Sequence, residues 1–317
     1  MNVSRLRKIR TEGFSPVQFR AICWFALVLL GIIVVSGGLV RLTGSGLGCN
    51  DWPNCNNSQF VDLSSRHAAI EQINRFFTFL VCIGVALAAL AAWWRRPRRR
   101  DLLVLSLVML FGVPAQGVVG AIVVWTKVHP GAVMLHFVLS MVLVWAAVVM
   151  LVRSQEPDGI ERTVAMSSRV RLLVRVAVGC TVVAVIAGTI TTGTGPHAGD
   201  ETAKRWFGTQ QRIDGHALQW VTRVHSGLVW VAVAAVLALF LTVRRSPADR
   251  QVLDRPLTMW AIVAVAQGFV GYVQYASGLP EGLVAVHLAG ATTLVGATAW
   301  LHASMKACTV SGAAATS

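Results

Sequence analysis

The chain has 317 residues, 55% hydrophobic and 13% charged, with a mean hydropathy of +0.63 and a net charge of +14. That composition excludes a water-soluble globular protein of this size and describes a polytopic membrane protein. Nucleic-acid binding is also excluded as the reason for the charge, because the basic residues sit in short stretches between apolar runs and form no basic face with polar or aromatic readers.

A polar arm, Met1 to Val17, carries Arg5, Arg7, Lys8 and Arg10 and precedes an apolar run from about Phe19 to Leu42. The run is too long for a signal-peptide core and lacks a clear cleavage site, so it reads as the first transmembrane helix. It leads into RLTGSGLGCNDWPNC, a Gly-rich loop with two cysteines. The second helix is expected from about Ala68 to Trp94, the third from about Leu102 to Thr126 with a kink at Pro114, and the fourth from about Gly131 to Val152. After a polar linker (153–172), the fifth is expected from about Leu173 to Thr192, ending in TTGTGPHAGD. The sixth, seventh and eighth follow at about Leu218–Val243, Leu257–Ser277 and Gly282–Ser304. The final SGAAATS is small and polar and reads as disordered. The fold class is therefore all-α, with eight transmembrane helices arranged as two pseudo-symmetric four-helix bundles, 1–152 and 173–317.

The division into halves rests on a repeat. AQGVVGAIVVWTKVHPGAVMLHF includes Gln116 and His136; AQGFVGYVQYASGLPEGLVAVHL includes Gln267 and His287. The offset is 267 − 116 = 151 and 287 − 136 = 151, without a gap. Forty-two residues before each Gln stand Asn74 and His225 (116 − 74 = 267 − 225 = 42). A shared register of this length indicates a duplicated membrane unit. Arg and Lys gather in the arm, the 95–100 turn, the 153–175 loop and the 244–256 loop, which places both termini in the cytoplasm. The halves, four crossings apart, then form a parallel repeat.

Histidine inside a membrane is costly unless partnered. His225 and His287 lie one to two turns inside helices six and eight, and two neutral imidazoles from facing helices commonly clamp a haem iron from both sides. The plainer alternative is that each bonds a neighbouring helix. In the first half, His136 is opposed by Asn74, a poor iron ligand, so one half has an electron-transfer site and the other an open, reactive one. His67, seven residues before Asn74, is a secondary candidate about 10 Å higher on the same face. Glu71 shares that face with Asn74 and Arg75. It either pairs with Arg75 at a helix end or serves beside the open site as proton acceptor or cation stabiliser; its repeat equivalent, Thr222, is uncharged. Cys49 and Cys55 share an outward loop, where an oxidising exterior favours a disulfide; metal binding would require further ligands at suitable spacing, and none follow. Cys23, Cys82 and Cys180 read as packing thiols, Cys308 as a reduced thiol, His197 and His216 as exposed loop residues and His302 as structural.

With these residues in place the chain resembles haem A synthase, through GGLVRLTGSGLGCNDWPNC, IEQINR, QGVVG, the LHF around His136, RVHSG, QGFVG and VHLAG. The resemblance implies oxidation of haem O to haem A, for cytochrome oxidase assembly, by stepwise conversion of a ring methyl through an alcohol and hydrate to a formyl group. It implies haem b between His225 and His287. It also implies a haem O site in the first half with His136, Glu71, Asn74, Arg75 and His67 nearby, and the loop cysteine pair at Cys49 and Cys55. The implied setting is a bacterial cytoplasmic membrane. Implied partners are the lipid bilayer, a haem O-producing enzyme and an electron partner; a homo-oligomer is left open. Many members carry His where this chain has Asn74, and some have cysteines in the second-half outer loop. The rival readings are a membrane b-type cytochrome that only carries electrons, which would want paired ligands in both halves, and a haem or small-molecule transporter.

Overall fold

The computed structural model describes residues 13–56, 59–158, 166–207 and 214–306. The arm before residue 13, Cys308 and the SGAAATS segment lie outside the described residues. Among those described, eight helices are long and apolar enough to cross a membrane, as expected of a multi-pass membrane protein. They are α1 (Pro16–Leu42), α2 (Arg66–Trp94), α3 (Arg100–Trp125), α4 (Pro130–Ser154), α5 (Ser168–Thr194), α6 (Gly215–Val243), α7 (Pro247–Ala276) and α8 (Glu281–Ala303).

Their starts follow from local chemistry. Ser15 and Gln18 form a capping box at α1, Ser65 accepts from the Ala68 N–H at α2, and Asp214 accepts from the His216 and Ala217 N–H groups at α6. Caps also explain where the expected boundaries move. Ser167 accepts from the Val170 N–H, so α5 starts at Ser168 rather than about Leu173 and shortens the 153–172 linker. Ser246 accepts from the Asp249 N–H and Pro247 takes the first helical position, so α7 starts ten residues before Leu257 (257 − 247). Most of the 244–256 stretch is therefore helix, and α7 runs through Pro256, as α3 does through Pro114. Because α6 begins at Gly215, His225 lies about three turns into it, deeper than the sequence suggests.

Within lipid no hydrophobic gain drives one helix onto another, so close packing must do so. On α2 the small residues Gly84, Ala88, Ala91 and Ala92 allow the approach of α1; a Cβ on Gly84 would stand 2.8 Å from Leu29 Cδ1. Trp24, Ile83, Val104 and Phe111 remain exposed, as lipid-facing side chains should. One buried cluster is built from α1–α4 with Val295, and another from α5–α8 with Met166 and Met305. In the first half α1 packs on α2 and α4, and α3 on α2 and α4; in the second α5 packs on α6 and α8, and α7 on α8. Contacts of α8 with α4 and α1 join the two.

Both ends are tied down. Where α2 turns into α3, buried Arg95 pairs with Asp158 at 2.9 Å, and Arg99 pairs with Asp101 at 2.9 Å and Glu156 at 3.1 Å. At the other end the Gly46 N–H donates to the Gly199 carbonyl at 2.9 Å, and Trp206 meets His129 edge-on. The two Gly-rich loops thus close over the seam between the halves.

Candidate functional site

A cavity of about 1730 Å³ opens among the helices and is lined from both halves, by Glu71, Asn74, Arg75 and His136 and by His225 and His287. That exceeds the roughly 300–1,000 Å³ of an ordinary small-ligand pocket.

The repeated Gln–His spacing has a direct physical cause. Gln116 Nε2 donates to the His136 carbonyl at 3.1 Å, and Gln267 Nε2 donates to the His287 carbonyl at 2.9 Å. Each Gln therefore pins the helical turn that carries the His. The second Gly of each QGxxG lies against the imidazole: a Cβ on Gly271 would crowd His287 Cε1 at 3.2 Å, whereas one on Gly120 would meet His136 Cε1 at an ordinary 3.8 Å. Gln sets the backbone and Gly the ring.

His225 is held differently. Its Nδ1 lies 2.9 Å from the Ala184 carbonyl on α5. A carbonyl can only accept, so Nδ1 carries the proton and Nε2 keeps a free lone pair, the form in which imidazole ligates a metal. Gly188, one turn along α5, would place a Cβ 3.0 Å from the ring, so nothing larger than Gly fits without displacing it. His225 and His287 line the same cavity. Nδ1 of His287 and Nδ1 of His136 are buried without a partner. Such orphaned nitrogens in a large, mostly apolar cavity, beside an imidazole whose Nε2 is free, fit a tetrapyrrole that these histidines would hold.

The first half offers a different arrangement at the position equivalent to His225. Asn74 Oδ1 accepts from the Ser36 hydroxyl at 2.8 Å, and that hydroxyl also lies 3.2 Å from the Ile33 carbonyl. Ile33 is the repeat equivalent of Ala184 (184 − 151 = 33). Ser36 thus bridges the gap that the imidazole of His225 spans alone.

Glu71 is buried, 7% exposed, and borders the cavity. Its Oε1 accepts from Arg75 Nη2 at 2.8 Å and its Oε2 from the Cys49 N–H at 2.8 Å. Arg75 also donates to the Asn54 carbonyl through Nη1 and to the Asp51 carbonyl through Nη2, each at 3.1 Å. The i,i+4 pair exists, and it is one strand of a lacing that holds the loop closed by the Cys49–Cys55 disulfide against α2. Sequence spacing gave no sign of the Cys49 link.

The remaining histidines sort by place. His67 does not line the cavity; its Nδ1 lies 2.9 Å from Ser45 Oγ in the TGSG loop. His197 borders the cavity and bonds the Leu279 carbonyl at 2.8 Å, a tie that the expected loop position did not suggest. His216 is exposed at the start of α6, and His302 packs on Trp145.

The sequence model of the COX15-CtaA family, described as cytochrome oxidase assembly protein, matches residues 20–72 and 61–200, more than half of the chain. The chain is 32% identical over 136 residues to a protein of Lysinibacillus sphaericus named Heme A synthase, an alignment covering 42% of this chain and 44% of the relative. A protein of the same name from Listeria welshimeri is 33% identical over 129 residues, covering 39% and 41%. One from Geobacillus kaustophilus is 32% identical over 138 residues, covering 42% and 43%. The matched stretch is less than half the length of each of these relatives.

Proposed function

The chain belongs to the COX15-CtaA family of cytochrome oxidase assembly proteins, and from that premise we propose that it oxidises haem O to haem A. The names of the similar proteins support this reading. The observation that carries it is the asymmetry of the cavity. The second half presents two imidazoles to the cavity, His225 with Nε2 free and His287; the first presents His136 and the Asn74 amide that Ser36 holds. Two imidazoles suit a resident haem b; one imidazole with an amide in place of the second leaves a substrate accessible.

In this reading 1–152 is the oxidation half, 173–317 the haem b half, and both termini are cytoplasmic, in a bacterial cytoplasmic membrane. Haem b, when bound, supplies one-electron transfer. His136 holds the substrate haem O. Glu71, the buried carboxylate beside that site, accepts protons or stabilises positive charge as the ring methyl passes through alcohol and hydrate to formyl. Arg75 holds Glu71 in place, and the disulfide loop closes over it. A haem O-producing enzyme supplies the substrate, and a separate electron partner accepts the electrons.

The test is haem extraction, chromatography and mass analysis of protein expressed with and without a haem O-producing enzyme. Haem A or its hydroxylated intermediate, appearing only with haem O supplied, is the expected result. Unmodified haem b under both conditions would put a b-type electron carrier in its place.

A further inference from the structure

Among the described residues Arg41 is a charge without a counter-charge. It lies in the last turn of α1, where Nη2 donates to the Thr192 carbonyl in the last turn of α5 at 3.0 Å. Its Nε is buried without a partner, and the side chain borders the cavity. Arg41 enters no ion pair among the described residues. Asp200, next to the Gly199 that lies against Arg41, accepts through Oδ1 from the Thr202 N–H at 2.7 Å and the Thr202 hydroxyl at 2.6 Å. A guanidinium does not lose its proton in a protein, so partial burial without an acid is costly unless an anion arrives from outside.

The position says which anion. Thr192 is four residues past Gly188 on α5, about 6 Å further along the same helix face. Gly188 is the residue against which the His225 ring packs. The bond to Thr192 therefore carries the guanidinium of a first-half residue across the seam, one turn outward of the His225 imidazole. A planar ligand held at that imidazole and bearing carboxylates on its rim would meet Arg41 with a carboxylate, and Arg forms its strongest hydrogen bonds with that group.

We propose that Arg41 anchors a carboxylate of the tetrapyrrole held at His225 and His287, a proposal that rests on the haem reading above. Arg41 thereby links the first half to the ligand of the second.

The experiment is a titration of the full-length chain, produced in a haem-deficient host and purified in detergent, with haem b and with haem b dimethyl ester, followed by visible absorbance. Wild type, Arg41→Gln and Arg41→Lys are compared, with the intact Cys49–Cys55 disulfide and a single size-exclusion peak as fold controls. Arg41→Gln is expected to weaken haem b about tenfold while leaving the ester unchanged, with Arg41→Lys between the two. Equal loss for both ligands, or no loss for haem b, overturns the proposal. If Arg41→Gln does not fold, wild type decides: tighter binding of haem b than of its ester by about tenfold supports the anchor, and equal binding overturns it. A wild-type chain that binds neither form overturns the haem reading along with it.

Discussion

The Ala184 carbonyl and His225 Nδ1, 2.9 Å apart, set the protonation of the imidazole before any ligand arrives. The free nitrogen is Nε2, and Gly188 leaves just enough space for the ring that carries it. A ligand site whose backbone partner comes from another helix is pre-organised: nothing has to rotate or lose a proton on binding.

Gly188→Val is therefore expected to displace the His225 ring and lower bound haem b at least tenfold, with the helical content unchanged. Haem-to-protein ratio and circular dichroism check this together; normal haem content would show that the contact is soft.

Asn74→His brings the first half to the pattern of the second. The longer ring can reach the Ile33 carbonyl without Ser36. The expected outcome is additional low-spin haem signal by electron paramagnetic resonance, further increased when Ser36→Ala is added to make room. No new signal in either variant would mean that the amide is not in ligand position.

Glu71→Gln keeps an acceptor for the Cys49 N–H but removes the charge that Arg75 meets. Haem A formation is expected to fall about 10²-fold or more, in the range of general acid–base effects, while haem b content holds. A loss of haem b in parallel would assign Glu71 to structure instead of chemistry.

Replacing both Cys49 and Cys55 by Ser opens a loop six residues apart in sequence. The chain-entropy relation gives about 2 kcal/mol for so short a loop. Because Glu71 and Arg75 are laced to that loop, the variant is expected to lose haem A formation more than thermal stability; both are measured on the same preparation.

In the loop between α1 and α2 the Asp62 carboxylate is held below the usual range by hydrogen bonds from the Ser64 hydroxyl and N–H and from the Asn56 amide. A depressed carboxylate contributes stability above its unfolded pKa and loses it as pH falls through the folded value. The Ser64 amide is therefore expected to stay protected from exchange down to about pH 4 and to lose protection below it. Asp62→Asn should abolish that pH dependence.

The sequence by itself determined the eight crossings, because a hydrocarbon core demands about 20 apolar residues whose backbone bonds are satisfied internally. It also determined the register of the repeat, since an ungapped offset preserves every helical position; the Gln116–His136 and Gln267–His287 bonds are what that register maintains. It could not determine contacts between helices distant in the chain. The Ala184 bond that fixes His225, the Ser36 bridge to Asn74, the Cys49 N–H on Glu71 and the crossing of Arg41 to Thr192 each pair residues 22 to 151 positions apart. Hydropathy also misplaced the start of α7, because a Ser–Pro cap and an acidic first turn can carry a helix through charged residues that look like loop. Only the packing of α1 against α2, of α5 against α6, and of the two loops over the seam decided which buried polar atoms found partners and which were left facing the cavity.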